Sequence, residues 1–168
     1  PDGLTMGEAG AEGRKGGKDA GQETRAIKSL SRAVHAGLRR GGGWGLGRAG
    51  ELNGVPGPTH LLEMKNEIPL SEAQIGAIAA IKQEMTRKAV AQGETLIMLE
   101  GRLDRHFSDG TITDEILRAL LAEIADARRA LRYIHLSTHL KTPEILSKAP
   151  IGKYNAPRGY SADRKSGV

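Results

Sequence analysis

Apolar residues recur every three or four positions from Ser71 to Phe107, which predicts a long helix. On a helical wheel these positions fall within one arc of about 80–90°, a narrow seam suited to packing against another helix. Ser71 and Gln74 have the spacing of a capping box, so we expect the helix to begin there. The apolar positions of the seam are Ile75, Ile78, Ile81, Met85, Ala89, Leu96, Leu99, Leu103 and Phe107.

A second long helix is expected after the turn at 108–112, which contains an Asp-Gly pair. Thr113 is its expected N-cap, and the helix is expected to end near Lys141 because Pro143 follows. Since the turn is short, the two long helices must lie antiparallel as a hairpin. The apolar positions of the second helix are Ile116, Leu117, Leu120, Ile124, Ala127, Leu131, Ile134 and Thr138.

The predicted fold is all-α: a long antiparallel helical hairpin with short flanking helices. Two helices alone cannot bury both sides of their apolar seams, so the hairpin needs a third layer. Short helices over 58–68 and 143–154, the second interrupted by Pro150, are expected to supply part of it. A second copy of the chain is expected to supply the rest, which favours a homodimer.

Glycine divides the chain, because 16 of the 23 glycines lie at or before Gly57. Such density carries a high backbone entropy cost, and few apolar groups are present to offset it. We therefore predict a disordered Gly/Arg-rich tail over 1–57, a helical domain over 58–160 and a disordered C-terminal tail over 161–168. One short basic amphipathic helix is expected within 25–40, with Ile27, Leu30, Val34 and Leu38 at helical spacing.

Composition narrows the possible functions. The chain has no Cys, which excludes disulfide scaffolds, thiolate zinc sites and Cys nucleophiles. The sequence contains no run of 18 apolar residues, so no membrane-spanning helix is predicted. The sequence contains no HExxH, no G-x-S-x-G and no phosphate-binding G-x-x-x-x-G-K-[ST] motif, so we predict that it is not an enzyme.

Helix-borne histidines predict a metal site. His135 and His139 are four residues apart, so both imidazoles project from one side of the helix, a usual two-ligand geometry for zinc, nickel or copper. With the hairpin midpoint at about residue 110, His135 lies opposite about residue 85, near Glu84. His60, Glu63 and Met64 on the first short helix are expected to fold over the same end. The alternative is that the histidines are surface or interface residues and the carboxylates are solvated. The predicted ligand set is His60, Glu63, Met64, Glu84, His135 and His139.

A nucleic-acid function through the basic tail is a third possibility. Its cations lie among glycines and are able to contact phosphates. Against it, residues 1–57 carry nine Lys/Arg and six Asp/Glu, and Trp44 is their only aromatic residue, so a stacking platform is lacking. The cations concerned are Arg14, Lys15, Lys18, Arg39, Arg40 and Arg48.

Residues 70–74, Leu-Ser-Glu-Ala-Gln, resemble the LTxxQ motif of the Spy/CpxP-like periplasmic proteins, a family of refolding chaperones and heavy-metal-resistance proteins. The motif positions here are Leu70, Ser71 and Gln74. The resemblance covers about 58–160 and extends through LIMLEGRLDRHFSDGTIT, the HLSTHL segment and KYNAPRGY. Where the family often repeats the motif, residues 146–150 are Leu-Ser-Lys-Ala-Pro and lack the Gln, and Pro157 interrupts the last segment again.

The resemblance implies a cradle-like homodimer of helical hairpins in the bacterial periplasm, without catalysis. Chaperone members hold unfolded or partly folded proteins, without ATP, on a concave, basic and partly apolar face. The alternative for the basic residues is that they form a solvated helix flank. The residues expected to supply charge to a client face are Arg87, Lys88, Arg128, Arg129 and Arg132.

The same resemblance implies a second function, metal sensing or resistance. Sensor members bind nickel, cobalt or zinc through His, Glu and Met on helices, and His60 with Met64 and His135 with His139 match that arrangement in spacing. A membrane-bound stress or metal signalling partner would then be expected. The sequence begins at Pro1 and contains no visible secretory signal, so the periplasmic location is expected from the resemblance alone.

Overall fold

The computed structural model describes residues 19–146, and every regular element within that range is helical. Its two longest helices pack against each other as an antiparallel hairpin, so the all-α hairpin prediction is confirmed. None of the helices in this range is long and apolar enough to span a membrane. The helices are α1 (Arg32–Arg39), α2 (Arg48–Glu51), α3 (Pro58–Glu63), α4 (Glu72–Ser108) and α5 (Asp114–Ile145), with a single 3-10 turn (Gln22–Thr24) before α1.

Side chains fix the start of both long helices. Ser71 Oγ accepts a hydrogen bond from the Gln74 backbone N–H, and Gln74 Oε1 accepts one from the Ser71 N–H, which completes the predicted capping box. Thr113 caps α5 in the same way, by accepting from the Ile116 N–H. Gln74 Nε2 also donates to the Ile145 carbonyl at 3.0 Å, so this one side chain joins the start of α4 to the end of α5.

The hairpin register agrees with the sequence. Gln92 Nε2 donates to the Ala127 carbonyl oxygen across the two helices, which sets the midpoint within one residue of the predicted position. Of the predicted seam of α4, Ile78, Ala89, Leu96 and Leu99 are buried. Phe107, the last seam position, is 58% exposed, because the hairpin ends there and no other element within residues 19–146 covers it.

The end of α5 differs from the prediction. The helix does not end near Lys141 but continues through Pro143 to Ile145. A proline in the last turn removes only one intrahelical bond, which limits its cost there. Thr142, fully buried, donates its hydroxyl to the Pro56 carbonyl at 2.5 Å and holds this turn in place.

The short flanking helices also differ from the prediction. The helix expected over 58–68 is limited to α3, after which the chain turns. The separate helix expected over 143–154 is wrong in its first part, because 143–145 belong to α5. Leu146 follows as the extended C-cap of α5. Residues 147–154, including Pro150, lie outside the described residues, as do Pro157 and the predicted tail 161–168.

The third layer comes from the segment that was predicted to be disordered. Residues 19–57, which we call the N-terminal layer, pack along the hairpin, so the prediction of disorder is wrong for them. Ile27, Leu30 and Leu38 are buried in one cluster with residues of α4 and α5. The glycine content predicted disorder because the segment was considered without the hairpin. In the structure, the apolar side of α1 packs on the hairpin and covers apolar residues of α4 and α5 that would otherwise be exposed. Residues 1–18 lie outside the described range.

Two apolar clusters hold the described residues together. The larger lies between the N-terminal layer and the hairpin, and the smaller joins α3 to the open end of the hairpin. The buried members of the larger are Ile27, Leu30, Leu38, Ala89, Leu96, Leu99, Leu120, Ile124, Ala127 and Leu131. Those of the smaller are Leu61, Ile68, Ile78 and Leu146.

The layer approaches α4 closely at Gly93. A Cβ atom built on Gly93 would lie 2.6 Å from the Leu38 carbonyl oxygen, closer than real carbon and oxygen atoms approach. The end of α1 therefore packs against the backbone of α4 itself. Gly41, which follows α1 with a φ of +71°, lies against the Thr86 carbonyl in the same way.

Two glycines of α4 make this contact testable. Gly93→Ala is expected to lower the free energy of unfolding by about 1–3 kcal/mol, because the added methyl group must push the Leu38 backbone away. Gly76→Ala is expected to raise it by about 0.5–1 kcal/mol, because nothing lies within 4 Å of the added atom and alanine favours the helix. Urea unfolding of both variants measures the difference. An equal stabilisation by both would show that the layer does not pack at Gly93.

Candidate functional site

A cavity of about 870 Å³ lies between the N-terminal layer and the open half of the hairpin. Its walls are the 40–48 segment, the start of α3, the 82–86 stretch of α4 and the 135–139 stretch of α5. We call it the glycine-lined cavity, because Gly41, Gly42, Gly43, Gly45, Gly47 and Gly57 form much of its wall. His60, His135 and His139 all line it, so three of the six predicted metal ligands are brought to one place.

His139 is held by glycines of the N-terminal layer. Its Nδ1 lies 2.6 Å from the Val55 carbonyl oxygen, so Nδ1 carries the proton in the neutral ring. Cβ atoms built on Gly47 and Gly57 would lie 3.1 and 3.0 Å from Nε2, and one on Gly50 would collide with the ring. These glycines are therefore a packing requirement of the imidazole.

His135 is buried, with 4% of its surface exposed, and its Nε2 has no hydrogen-bond partner among the described residues. Burial lowers the pKa of His135, the nearby His139 lowers it further, and a backbone hydrogen bond with Gly42 opposes both effects. The ring is therefore neutral at neutral pH.

His60 is held by a residue that sequence reasoning missed. Its Nδ1 lies 2.8 Å from Glu51 Oε1, and the same oxygen accepts the Gly57 N–H at 3.1 Å. Glu51 belongs to α2, in the segment predicted to be disordered, so no role was assigned to it. The only sequence signal for an ordered segment was the helical spacing within 25–40, which does not reach Glu51.

The other predicted ligands lie elsewhere, so the six-residue set is not assembled. Glu84 points away from the cavity and bonds Arg87 and Lys88, at 2.7 and 3.4 Å. The hydrogen bond from Arg87 lowers the pKa of Glu84 to about 2, and the charges of both cations act in the same direction. Glu63 is exposed, and Met64 packs on the smaller apolar cluster. Residues 19–146 contain no group of three or more His, Asp or Glu side chains arranged to hold a metal ion.

A second concave surface lies between α4 and α5. It is a shallow groove of about 480 Å³, which we call the hairpin groove. Gly93 and Glu100 of α4 face the N-terminal layer, and at 100° per residue the groove positions Thr95 and Arg102 fall on the opposite side of the helix. The groove is lined by Gln92, Thr95, Met98, Leu99, Arg102, Ala122, Glu123, Asp126 and Ala127.

The five basic residues predicted to contact client polypeptides do not lie on one surface. Arg128 contacts the N-terminal layer: its guanidinium lies 5.0 Å from the centre of the Trp44 ring. It also lies 3.4 Å from the buried Glu100, which accepts the Ser29 hydroxyl. Arg128 therefore stabilises the layer and does not contribute to the groove.

The other four predicted cations are on the surface. Arg129 pairs with Asp126 beside the groove, and Arg132 is exposed. Arg87 and Lys88 share Glu84, as described above. Exposed ion pairs of this kind contribute little to stability. Because the side chains lie on the surface, their charges are accessible to a partner.

Comparisons with protein-family models, with curated proteins and with solved structures give no match for this chain. The Spy/CpxP-like resemblance therefore stays a prediction that rests on the residues that carry it.

His135 predicts how stability depends on pH. Because its pKa is lowered in the folded state, the unfolded chain takes up the proton first as the pH falls through about 6.5. The free energy of unfolding should therefore decrease below pH 6.5, and this loss is complete once the pH lies below the folded pKa. His135→Gln should flatten the pH dependence in urea unfolding between pH 7.5 and 5. His106→Gln, at the other end of the hairpin, is the control and should keep the wild-type slope.

Proposed function

We propose that this chain is a non-enzymatic, Spy/CpxP-like protein of the bacterial periplasm that holds unfolded or partly folded polypeptides without ATP. The clients bind the hairpin groove and the apolar side chains beside it. One observation carries the proposal: the N-terminal layer covers one face of the hairpin, while nothing in residues 19–146 covers the opposite face.

An apolar side chain remains exposed on this uncovered face. Met98, in the groove, is 47% exposed. Leu99, Ala122 and Ala127 add apolar surface to the same groove. Exposed apolar side chains grouped within a polar rim are typical of interaction surfaces. They suit the apolar side chains that an unfolded chain exposes.

Charges of both signs surround the apolar positions. Arg102, Glu123 and Asp126 line the groove, and Arg129 pairs with Asp126 at its edge. A mixed rim binds many sequences weakly, which suits a protein that must release its client once the client folds. The predicted homodimer remains part of the proposal.

Replacing the apolar side chain of Met98 should weaken client holding. We expect Met98→Gln to lower the affinity for a reduced, aggregating client such as reduced α-lactalbumin by about fivefold, because the side chain is expected to bury enough apolar surface for roughly 1 kcal/mol. Light scattering of the client at increasing ratios of the full chain measures the change.

Leu52→Gln is the matched control, because Leu52 is 61% exposed but belongs to the N-terminal layer. It should suppress aggregation as the unmodified chain does. Equal suppression by Met98→Gln would contradict the proposal. A dimer that Met98→Gln converts to a monomer would assign the groove to a second copy instead.

Metal binding is the second candidate function, and one observation favours it. His60, His135 and His139 line the same cavity, and the buried Nε2 of His135 has no partner among the described residues. Since His139 Nδ1 bonds Val55, its Nε2 is the nitrogen left to coordinate a metal. Zinc, nickel, cobalt and copper all accept imidazole ligands.

Calorimetric titration of the full chain with each of these four ions tests the second candidate. Micromolar or tighter binding, lost in both His135→Ala and His139→Ala, is the expected result if the histidines are ligands. His106→Ala should bind as the unmodified chain does, because His106 bonds Thr111 at the turn of the hairpin. Binding that survives in both cavity variants would exclude these ligands.

A further inference from the structure

The charge of the glycine-lined cavity points to a different ligand from a metal ion. Three cationic side chains, Arg40, Arg48 and Lys82, line it. No carboxylate of residues 19–146 forms an ion pair with any of them. Among residues 19–146, the carboxylate that lines the wall is Glu51, which is hydrogen-bonded to His60 and the Gly57 N–H. The cavity therefore has an excess of positive charge, which attracts anions and repels divalent cations.

The size and the remaining walls of the cavity suit a small organic molecule. A volume of about 870 Å³ lies within the range of about 300–1,000 Å³ that is typical of small-molecule sites. Met85, Pro58 and Leu52 supply apolar surface on the walls. A ligand with an anionic group and an apolar part would match both kinds of wall.

The cavity wall contains an unsatisfied buried polar atom and lies beside a strained backbone segment. The buried Nε2 of His135 lacks a partner among the described residues, so the wall contains an unsatisfied polar atom. Trp44 and Gly45 have positive φ values of 49° and 70°, and Trp44 is the non-glycine residue of the described chain in that conformation. Such backbone strain is found at ligand-binding segments more often than elsewhere.

We propose that the glycine-lined cavity binds a small organic anion. Its carboxylate or phosphate group lies against Arg40, Arg48 and Lys82, and its apolar part lies against Met85 and Pro58. The site is separate from the hairpin groove, since the two are on opposite faces of the hairpin. The proposal is therefore independent of client holding, and each can fail without the other.

Calorimetry on the full chain with octanoate, octyl phosphate, inorganic phosphate and the neutral octanamide tests the proposal. We expect sub-millimolar binding of octanoate or octyl phosphate and at least tenfold weaker binding of octanamide. The tighter of the two anions identifies the preferred head group. Inorganic phosphate that binds as tightly as octyl phosphate would contradict the apolar contact, and octanamide that binds as tightly as octanoate would contradict the role of charge.

Substitutions separate this site from general attraction to a basic protein. Arg48→Gln and Lys82→Gln should each weaken the preferred anion about five- to tenfold. Arg118→Gln removes one positive charge at the other end of the hairpin, where Arg118 pairs with Asp114, and should leave the affinity unchanged. An equal effect of all three variants, no effect of any, or no binding of either organic anion would overturn the proposal.

Discussion

The close approach of the N-terminal layer to the hairpin is the contact on which the rest of the structure depends. At Gly93 the backbone of α4 lies directly against the Leu38 carbonyl, and near the open end three glycines enclose the His139 ring. Neither contact leaves room for a side chain. The glycines are costly for an isolated chain, yet they allow the layer to lie close enough for Ile27, Leu30 and Leu38 to be buried.

This contact gives the two faces of the hairpin different properties. On the covered face, a partly open cavity lies between the layer and the hairpin. Its walls contain histidines and cations that form no ion pair with the carboxylates of residues 19–146. On the other face, the shallow groove keeps Met98 partly exposed among charged side chains. The described part of the molecule therefore has one recessed, positively charged surface and one shallow, partly apolar surface. The first suits a small ligand and the second suits a flexible polypeptide.

The sequence predicted the hairpin well, because its determinants are local. The Ser71–Gln74 capping box, the Thr113 cap and the three-to-four spacing of the seams all act within a few residues. The register followed from the short turn, which is why His135 was correctly placed opposite about residue 85, and both His135 and Met85 line the cavity. The antiparallel arrangement could be predicted from the short turn and from the need of each apolar seam to be buried against the other.

The N-terminal layer and much of the site could not be predicted, because they depend on contacts between distant residues. Glu51 is bonded to His60 only because α2 and α3 lie against α5, and nothing in the local sequence shows that arrangement. Glu84 was assigned to the metal site from its level along the helix alone, whereas its position around the helix directs it to Arg87 and Lys88. Pro143 similarly indicated a helix end, but the hydroxyl of the preceding Thr142 finds the Pro56 carbonyl and the last turn persists.

The position of Trp44 allows the docking of the layer to be followed by fluorescence. It is the chain's single tryptophan, and its indole lies within the layer under the Arg128 guanidinium. Tryptophan fluorescence, excited at wavelengths where tyrosine does not absorb, therefore reports the environment of the layer, while far-ultraviolet circular dichroism is dominated by the two long helices. Detachment of the layer from an intact hairpin would change the emission spectrum and leave the helical signal largely in place, so the two events can be followed separately in one unlabelled sample.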